Sequence, residues 1–491
     1  MKEYQYFVDN SWHQPASGQY FDSENPANGE VWARVPDCNS DDVDRAVTAA
    51  KAAFYEGPWG RMLPAERGRL MRRIGDVISK NADHLGAVET RDNGKLPKNI
   101  TPSLKPAAWQ VDSFHYYAGM CDKFEGNLIP AEAPDIHNYL KWEPFGVCGL
   151  ILPWDSPIGT LIWKLAPCLA AGNTVVMKPS EQSSCSTLEL MQVLLEADLP
   201  PGVLNVVTGF GPTTGEPLID HPEVRKVSFT GGTAGGRAAA TIAARQIKPI
   251  TMELGGKSPQ IVLPDADIDL AVNGVAGGIF PAAGQSCISG SRLLVHQSII
   301  DEFTERLIEV VKKARVGDPL DPATQIGPIA NRPHYESVLA RIDAAEKAGH
   351  KLLLDGRSAC REKGYYIGPT IFADVPNNAD LAQNEVFGPV VSTERWENEE
   401  DAVRIANDSV FGLAAGIWSR DVAKAMRIAD RIEAGTVYIN NYFNAATQSP
   451  VGGFKQSGYG RENGFEGMRC FMQTKSVWLA TDPQQADPFP G

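Results

Sequence analysis

Short apolar runs alternate with longer helical stretches after residue 145, and this alternation restricts the fold more than any other feature. Runs rich in Val, Ile and Leu at 146–152, 174–178 and 203–207 are separated by stretches with helical patterning. Short buried strands that alternate with helices are typical of βαβ units, whose strands form a parallel sheet. A similar region from about Ser258 to Phe454 predicts a second α/β domain. Its amphipathic helices are predicted at 301–314 and 421–433.

Length and composition exclude several classes of protein. A chain of 491 residues is long enough for two domains, and 43% hydrophobic with 22% charged residues is typical of soluble globular proteins. The apolar stretches are shorter than the roughly 18 residues of a membrane span. The N-terminus lacks a basic segment followed by an apolar one, so we expect no membrane association and a cytoplasmic location. A net charge of -14 argues against nucleic-acid binding.

The cysteines do not form a recognisable framework. Eight of them are spread along the chain without a CxxC pair or a regular spacing, so we expect neither disulfides nor a metal site. An arbitrary free cysteine is usually a small buried core residue. We therefore expect inert, reduced thiols at Cys38, Cys121, Cys148, Cys168, Cys185, Cys360 and Cys470.

Outside the two α/β regions, the N-terminus and two separate strand regions stand out. The first residues form a turn-rich arm, with a turn at 24–29, and a helix at 40–55 follows. Residues 123–142 show the alternation of two strands, and 474–479 is a further strand. Such detached strands often pair with the sheet of another subunit. The proline-rich segment 482–491 is expected to be an extended surface tail.

Two glycine-rich turns suggest a nucleotide site without proving one. The turn at 209–215 has three residues between its second and third glycines, where the dinucleotide fingerprint needs two. It is as well explained as an ordinary tight turn. The loop at 229–236 joins a strand to an alanine-rich helix, and glycines at a helix N-terminus let a pyrophosphate approach the backbone amides.

The segment around Cys287, Phe-Pro-Ala-Ala-Gly-Gln-Ser-Cys-Ile-Ser-Gly-Ser-Arg, is more specific. It follows Glu253-Leu-Gly-Gly-Lys, whose glutamate precedes the cysteine by 34 residues. These segments resemble the cysteine and glutamate signatures of the aldehyde dehydrogenase superfamily. Five further blocks match the family in order along nearly the whole chain, at 153–157, 178–181, 229–236, 385–389 and 450–458.

The resemblance implies a non-acylating, hydrolytic reaction that oxidises an aldehyde to a carboxylic acid with NAD. Cys287 would attack the aldehyde carbonyl, because a thiolate readily forms the tetrahedral adduct from which hydride leaves. Hydride transfer leaves a thioester. Glu253 would act as the general base that activates the hydrolytic water.

The resemblance also assigns a cofactor site. The loop from Gly231 to Gly236 would lie under the pyrophosphate, with Lys178 and Glu181 on the adenosine ribose. A carboxylate at Glu181 accepts hydrogen bonds from ribose hydroxyls and repels a 2′-phosphate, so NAD is expected over NADP. Glu385 would bind the nicotinamide ribose, and Phe387 would pack on its ring. The full expected set is Leu152, Trp154, Lys178, Glu181, Gly211, Pro212, Gly231, Gly232, Gly236, Leu254, Glu385 and Phe387.

One residue departs from the family pattern in the expected oxyanion site. The family usually has an asparagine after the tryptophan of this block, where this chain has Asp155. The usual amide donates to the oxyanion beside the backbone N–H of the cysteine. An ionised aspartate would instead repel that charge. Either Asp155 is protonated, or the amide of Cys287 carries more of the stabilisation.

The expected substrate pocket is roomier and more polar than in relatives that act on small aldehydes. Small or hydroxylated residues stand where aromatic side chains often occur, so we expect a larger or polar aldehyde, or a semialdehyde, as substrate. The pocket positions are Ser156, Thr160, Trp163, Pro281, Ile288, Phe443 and Ala445.

The implied fold has two Rossmann-like α/β domains with parallel-type sheets and a small β oligomerisation element. Residues 1–122 and 143–253 would form the NAD-binding domain, and 254–455 the catalytic domain. Residues 123–142 and 470–491 would form the oligomerisation element and tail. A homotetramer built as a dimer of dimers is expected, with a dimer as the second choice.

Three alternative functions are left open by the residues. A CoA-acylating dehydrogenase shares the fold and the cysteine but typically lacks the glutamate found at Glu253. A non-catalytic binding or structural protein on the same scaffold would not need Cys287 and Glu253. A reductase of the ordinary dinucleotide-binding type would need the stricter glycine fingerprint, which is absent from the turn at 209–215.

Overall fold

A computed structural model describes residues 1–105, 108–483 and 488–489. Two large β-sheets, each covered by helices on both faces, dominate it, and three small sheets complete it. The strands are β1 (Lys2–Glu3), β2 (Tyr6–Val8), β3 (Ser11–His13), β4 (Tyr20–Asn25), β5 (Glu30–Pro36), β6 (Leu128–Ile129), β7 (Ile136–Pro144), β8 (Val147–Ile151), β9 (Thr174–Lys178), β10 (Leu204–Val206), β11 (Val224–Thr230), β12 (Ile250–Glu253), β13 (Pro259–Val262), β14 (Arg292–His296), β15 (Lys351–Leu354), β16 (Thr370–Ala373), β17 (Val390–Trp396), β18 (Phe411–Gly412), β19 (Ala414–Trp418), β20 (Thr436–Ile439), β21 (Phe454–Lys455), β22 (Gly458–Tyr459) and β23 (Met472–Ala480).

Helices connect most of these strands, and short 3₁₀ turns extend some of them. The α-helices are α1 (Ser40–Tyr55), α2 (Pro64–Lys80), α3 (Ala82–Asn93), α4 (Pro97–Ile100), α5 (Trp109–Met120), α6 (Pro157–Ala170), α7 (Cys185–Leu194), α8 (Glu216–Asp220), α9 (Thr233–Arg245), α10 (Ile268–Gly277), α11 (Ile300–Val311), α12 (Arg332–Lys347), α13 (Asp380–Gln383), α14 (Glu399–Asn407), α15 (Val422–Ala429) and α16 (Gly464–Arg469). In the described part of the chain, no helix is long and apolar enough to cross a membrane.

The first large sheet has the strand order β22-β12-β11-β8-β9-β10-β2-β3. Its five central strands, in the order β12-β11-β8-β9-β10, are parallel. At the ends of the sheet, β22 pairs antiparallel with β12, β2 with β10, and β3 with β2. Strands β8, β9 and β10 are fully buried. Helices cover both faces of the sheet. Both sides of these strands are therefore buried, which explains why their sequences are continuous apolar runs. This confirms the parallel βαβ region predicted after residue 145.

The second large sheet has the order β15-β16-β17-β14-β13-β19-β20. Its strands are parallel apart from the edge strand β15, which is antiparallel to β16. Apolar side chains of helices α10, α11 and α12 pack on one face, and those of α14 and α15 on the other. The two-sheet α/β architecture predicted from the sequence is therefore confirmed.

Several helix and strand boundaries differ from the predicted ones. Helix α1 and strand β9 match the prediction, whereas α11 ends at Val311 and α15 at Ala429, earlier than predicted. The predicted turn-rich arm contains strands β1 to β5, and β2 with β3 extends the first large sheet. These strands are too short to show a clear alternating pattern in the sequence. Residues Tyr6–Val8, for example, are all buried because β2 lies beside β10 in the first large sheet.

The two separate strand regions form one small sheet of order β23-β7-β6. Strand β23 pairs antiparallel with β7 along its whole length within the same chain. Large apolar side chains on this sheet are exposed, among them Leu128, Tyr139 and Trp478. Of the predicted extended tail at 482–491, residues 484–487 and 490–491 lie outside the described residues.

The loops at the carboxyl ends of the parallel strands meet at one edge of the first sheet. Strands β8, β9, β11 and β12 lead there into residues 152–156, 178–181, 230–232 and 253–258. Ligands of open α/β sheets bind at this edge. After Glu253 the chain crosses to the second sheet, where β13 begins at Pro259. The edge therefore faces the second sheet.

Candidate functional site

A deep cleft of about 1140 Å³ lies between the two large sheets. One wall comes from the loops after β8, β9, β11 and β12, and the opposite wall from the loop around Cys287 and the segment 385–387. The segment 443–446 contributes at one end. A cleft lined from both sheets has room for a cofactor and a substrate together.

The predicted nucleophile Cys287 lies in a loop whose backbone is tightly held. Gly284 has φ +69°, and a side chain there would overlap the carbonyl of Gly388. The hydroxyl of Tyr442 donates to the carbonyl of Ile288, at an O···O distance of 2.8 Å. Contacts on both sides of the cysteine therefore hold the backbone of this loop in place.

Three carboxylates oppose ionisation of the Cys287 thiol. Burial raises the pKa of Cys287 most, and the charges of Asp155, Glu385 and Glu253 raise it further. The amide of Ile288 lowers that pKa but does not offset the rest. The thiol of the free protein therefore stays protonated at neutral pH. Its activation requires a proton acceptor or a nearby positive charge.

The predicted general base Glu253 ends β12 and is 8% exposed. Its Oε1 has no hydrogen-bond partner among the described residues. Burial raises the pKa of Glu253, and the charge of Glu462 raises it further, while Lys164 and Arg461 act in the opposite direction. A buried carboxylate with a free oxygen in a cleft suits a general base, because its raised pKa lies nearer neutral pH.

A buried ion pair lies behind Glu253. The ammonium of Lys164 on α6 contacts the carboxylate of Glu462 and donates to Ser228 Oγ at 2.8 Å. Both members of the pair are buried, Lys164 completely. This pair is a nearby source of charge that acts on Glu253.

Asp155 lies in the loop between β8 and the N-terminus of α6. Burial raises the pKa of its carboxyl, while Lys95 and the amides of Asp155 and Ser156 lower it. Close by, burial raises the pKa of Glu89 to about 7, with Lys95 again opposing the effect. Lys95 is thus the cation that faces two buried acids at this end of the cleft.

The glycine loop after β11 presents backbone to the cleft. The N-terminus of α9 has no side-chain cap. Among the described residues, no atom lies within 4 Å of the place where a Cβ would stand on Gly232, or on Gly211 in the separate turn at 209–215. Uncapped amides beside open space fit an anion such as a pyrophosphate. Gly236 turns inward instead, because a Cβ there would lie 2.5 Å from Leu254 Cδ2. It does not line the cleft, and Gly235 does.

The charged residues expected at the cofactor also lie in the cleft. Lys178 Nζ is 3.7 Å from a carboxylate oxygen of Glu181 and donates to the carbonyl of Pro179 at 2.9 Å. Oε1 of Glu385 accepts from the amide of Gly256 at 2.9 Å. Burial raises the pKa of Glu385 to about 7. Hydrogen-bond acceptors at both places fit the two ribose rings of a dinucleotide.

The structure brings the expected site residues into this one cleft, apart from Gly236. Cys287, Glu253, Asp155 and every expected pocket position line it, together with the other expected cofactor positions. Charged or polar lining residues outside the recognised motifs include Glu89, Lys95, Gln110, His334, Arg341 and Glu462. Only their shared cleft connects them. Within the described residues, no cluster of His, Cys, Asp and Glu suits a metal ion.

The remaining cysteines only partly fit the expected buried thiols. Five are buried, but Cys360 is exposed and Cys470 is half-buried. The prediction was therefore wrong for Cys360, which lies after a 3₁₀ turn at the surface. None of the eight cysteines, all of which lie in the described residues, forms a disulfide.

Comparison with known proteins agrees with this geometry. The sequence model of the aldehyde dehydrogenase family matches residues 12–477. The human protein "Aldehyde dehydrogenase, mitochondrial" is 42% identical over 475 residues, which are 96% of this chain and 91% of that protein. The "Putative aldehyde dehydrogenase DhaS" of Bacillus subtilis is 41% identical over 96% of this chain and 95% of that protein.

Solved structures with the same fold contain the cofactor. Betaine aldehyde dehydrogenase of Staphylococcus aureus, in complex with NAD+, is 36% identical with a TM-score of 0.97, over 99% of this chain and 97% of that one. A point mutant of the same enzyme was solved in complex with NAD+ and with a BME-modified cysteine. An aldehyde dehydrogenase of Bacillus cereus in its NAD+ complex is 37% identical with a TM-score of 0.95, over 98% of this chain and 97% of that one.

The fold and the cleft, with these relatives, define an NAD-dependent oxidoreductase. The chain belongs to the aldehyde dehydrogenase family. Its activity is the oxidation of aldehydes to acids with NAD. The bound cofactor supplies the hydride acceptor, and the residues described above fit it.

Replacing Gly255 by alanine should weaken NAD+ binding without unfolding the protein. A Cβ at Gly255 would collide with the carboxylate end of Glu385, which can move away but then leaves its bond with Gly256. We expect the Kd for NAD+, measured by calorimetry, to rise about tenfold, as for the loss of one good polar contact. Gly277→Ala is the control, because no atom lies within 4 Å of its Cβ position. An unchanged Kd in folded Gly255→Ala would contradict a role of Glu385 at the cofactor.

Proposed function

We propose that the cleft oxidises its aldehyde through a thioester on Cys287, which is hydrolysed by water activated by Glu253. The observation that supports this most is that both side chains line one cleft although they come from different sheets. Glu253 keeps a free carboxylate oxygen there. A nucleophile and a base with an open acceptor are what acylation and hydrolysis require.

The steps balance with these residues. The Cys287 sulfur bonds to the aldehyde carbon while its proton passes to a carboxylate, and the carbonyl oxygen gains negative charge. Bound NAD takes the hydride from that carbon, and the C=O bond re-forms as a thioester. Glu253 then removes a proton from water as the water oxygen bonds to the thioester carbon. The C–S bond breaks, the sulfur takes back its proton from the carboxylate that received it, and the acid leaves with the Cys287 thiol restored. Glu253 then releases the water proton to solvent.

The raised pKa of Glu253 predicts the direction of the pH dependence of hydrolysis. The ionised carboxylate is the base, so the rate of this step rises as the pH rises through the pKa of Glu253. Burial and the charge of Glu462 place that pKa above the usual range of a glutamate. The rising limb therefore lies at a higher pH than an exposed carboxylate would give.

Replacing Glu253 and Cys287 should block different steps. Glu253→Gln should release one NADH per active site in a rapid burst and then turn over at least about 100-fold more slowly, because the base is lost after acylation. Cys287→Ala should give no burst. Cys360→Ala is the matched control, since Cys360 is exposed and outside the cleft, and it should behave as wild type. Stopped-flow NADH absorbance measures all three.

Other outcomes separate the alternative functions. Sustained turnover of Glu253→Gln on adding CoA, with an acyl-CoA product, would point to a CoA-acylating enzyme. Wild-type rates in Cys287→Ala would exclude the thioester route. The free carboxylate oxygen of Glu253 favours water as the second nucleophile, so we expect neither.

We propose that Asp155 is protonated when the oxyanion forms near it. Burial raises the pKa of Asp155, and the neighbouring acids Glu89 and Glu385 also lie in the cleft. A protonated carboxyl donates a hydrogen bond as an amide does, whereas an ionised one repels the oxyanion. The nearby charge of Lys95 favours the ionised form, so the balance depends on pH.

Asp155→Asn tests this directly. An amide donates at every pH, so the variant should be as active as wild type or more active. Its advantage should grow as the pH rises and the wild-type carboxyl loses its proton. The measurement is kcat/KM from pH 6 to 9 for both proteins, chosen to span the range around neutrality. A loss of several hundredfold in turnover would show that the carboxylate itself is required.

We propose a larger or polar aldehyde, or a semialdehyde, as the substrate. The pocket end of the cleft carries Ser156, Thr160 and Ala445, with the bulky Trp163 and Phe443 beside them. The charged residues Glu89 and Lys95 also line the cleft. One similar enzyme is named for betaine aldehyde. Polar lining residues lose hydrogen bonds to water when a substrate binds. A substrate with polar groups that replace those hydrogen bonds is therefore favoured.

A panel of aldehydes tests the pocket. We expect kcat/KM to be higher for at least one hydroxylated, aminated or carboxylated aldehyde than for acetaldehyde, because the short substrate leaves the polar lining without partners. NADH production at matched substrate concentrations is the readout, with Cys287→Ala as the blank. Acetaldehyde as the best substrate of the panel would refute this proposal.

The remaining assignments are proposals that follow from the same features. Glu181 supports NAD over NADP, because it faces Lys178 in the cleft and would repel a 2′-phosphate.

The proposed NAD-binding domain is 1–122 with 143–253, and the proposed catalytic domain is 254–455. Exposed apolar side chains on the β23-β7-β6 sheet support a homotetramer, or failing that a dimer, which a solution mass would distinguish. The need for a reduced Cys287 favours the cytoplasm.

A further inference from the structure

Three aromatic rings meet at the cofactor side of the cleft. The ring centroid of Trp154 is 4.9 Å from that of His334 and 5.2 Å from that of Phe387. The rings of His334 and Phe387 are 5.9 Å apart. Trp154 follows β8 of the first sheet, whereas His334 lies on α12 and Phe387 precedes β17 of the second. The cluster therefore joins the two walls of the cleft.

The backbone of Phe387 is held in an unfavourable conformation. Its φ of +56° lies in the left-handed region, which a residue with a Cβ seldom adopts. Nε2 of His334 is 2.7 Å from the carbonyl oxygen of Phe387. Because a carbonyl oxygen only accepts, Nε2 carries the hydrogen and donates it. Strained backbone of this kind persists when its surroundings hold it in place.

His334 is itself fixed at the start of α12. The side chain of the N-cap residue Asn331 accepts from the amide of His334 at 2.9 Å. Four residues beyond His334, Val338 packs against the same turn, and a Cβ on Gly388 would lie 2.8 Å from its Cγ1. The other side of Gly388 faces Gly284 in the loop of Cys287. The turn at 387–388 is thus confined between α12 and the nucleophile loop.

We propose that His334 is a positioning residue for the cofactor, which it serves by holding the Phe387 carbonyl. This bond maintains the turn that presents the Phe387 ring and the nearby Glu385 carboxylate to the nicotinamide end of the cleft. The identification of that end rests on the proposed function, since the hydride leaves a carbon bonded to Cys287. Glu385 is close enough to Cys287 for its charge to raise the pKa of the thiol.

The imidazole of His334 is neutral in this role. Burial lowers the pKa of His334, and the charge of Arg341 on the same helix lowers it further, while the Phe387 carbonyl opposes both. His334 therefore adds no positive charge beside the cationic nicotinamide of NAD+ at neutral pH. A neutral side chain with one N–H donor at a similar reach should replace it.

Two substitutions separate the hydrogen bond from simple packing. His334→Leu keeps apolar volume without a donor, whereas His334→Gln keeps a neutral N–H donor. Glu336→Gln is the control, because Glu336 is exposed on the same helix. The Kd for NAD+ is measured by calorimetry on enzyme without aldehyde, and the KM for aldehyde and kcat are measured separately.

We expect His334→Leu to raise the Kd for NAD+ about tenfold, the effect of losing one good hydrogen bond. His334→Gln should stay within about threefold of wild type, and the aldehyde KM should change little in both. If His334→Leu does not fold, His334→Asn takes its place, because its shorter amide cannot reach the carbonyl.

Two results would overturn the proposal. One is a wild-type Kd in a folded variant without the donor. The other is equal weakening by the glutamine variant and the variant without the donor, because the bond to Phe387 would then not be the cause. Binding of NAD+ does not depend on the thioester chemistry. A failure of the proposed function would appear as lost activity with normal cofactor binding, so the two failures are distinguishable.

Discussion

The pairing of β12 with β22 holds the two halves of the molecule in register. Glu253, the last residue of β12, lies opposite Gly458 in this pairing. One residue further, the amide of Leu254 donates to the carbonyl of Ser457 at 2.9 Å, and Ser457 Oγ accepts from the amide of Gly412 at 3.0 Å. The chain crosses between the sheets here in both directions. These bonds therefore set where the Glu253 carboxylate stands relative to the cysteine loop, which belongs to the second sheet.

Helix α6 contributes both to the lining of the cleft and to the charges that surround Glu253. Its residues Thr160 and Trp163 line the cleft, and the next residue, Lys164, holds the buried Glu462 that acts on Glu253. Because a helix is rigid over a single turn, the side of α6 that faces the cleft and the ion pair cannot shift independently. A substitution on this helix that changes the size of the cleft therefore also disturbs the charge around Glu253.

Sequence motifs and periodicity predicted the helices and strands of this molecule better than they predicted its charge distribution. The strand at 174–178 and the helix at 40–55 were predictable because local burial patterns specify them. Gly236 looked like part of the cofactor loop, but it packs against Leu254, and which glycine faces a ligand depends on helix packing. His334, Lys95 and Glu462 belong to no recognised motif. Glu462 meets Lys164 across 298 residues of sequence, a contact that only the tertiary fold creates.

The three carboxylates around Cys287 have a consequence for the resting enzyme. Oxidants and stray electrophiles react with thiolates much faster than with thiols. Burial, and after it the charges of Asp155, Glu385 and Glu253, raise the pKa of the Cys287 thiol, so the nucleophile reacts slowly in the free protein. The environment that opposes ionisation of Cys287 therefore also protects the thiol of the resting enzyme from these side reactions.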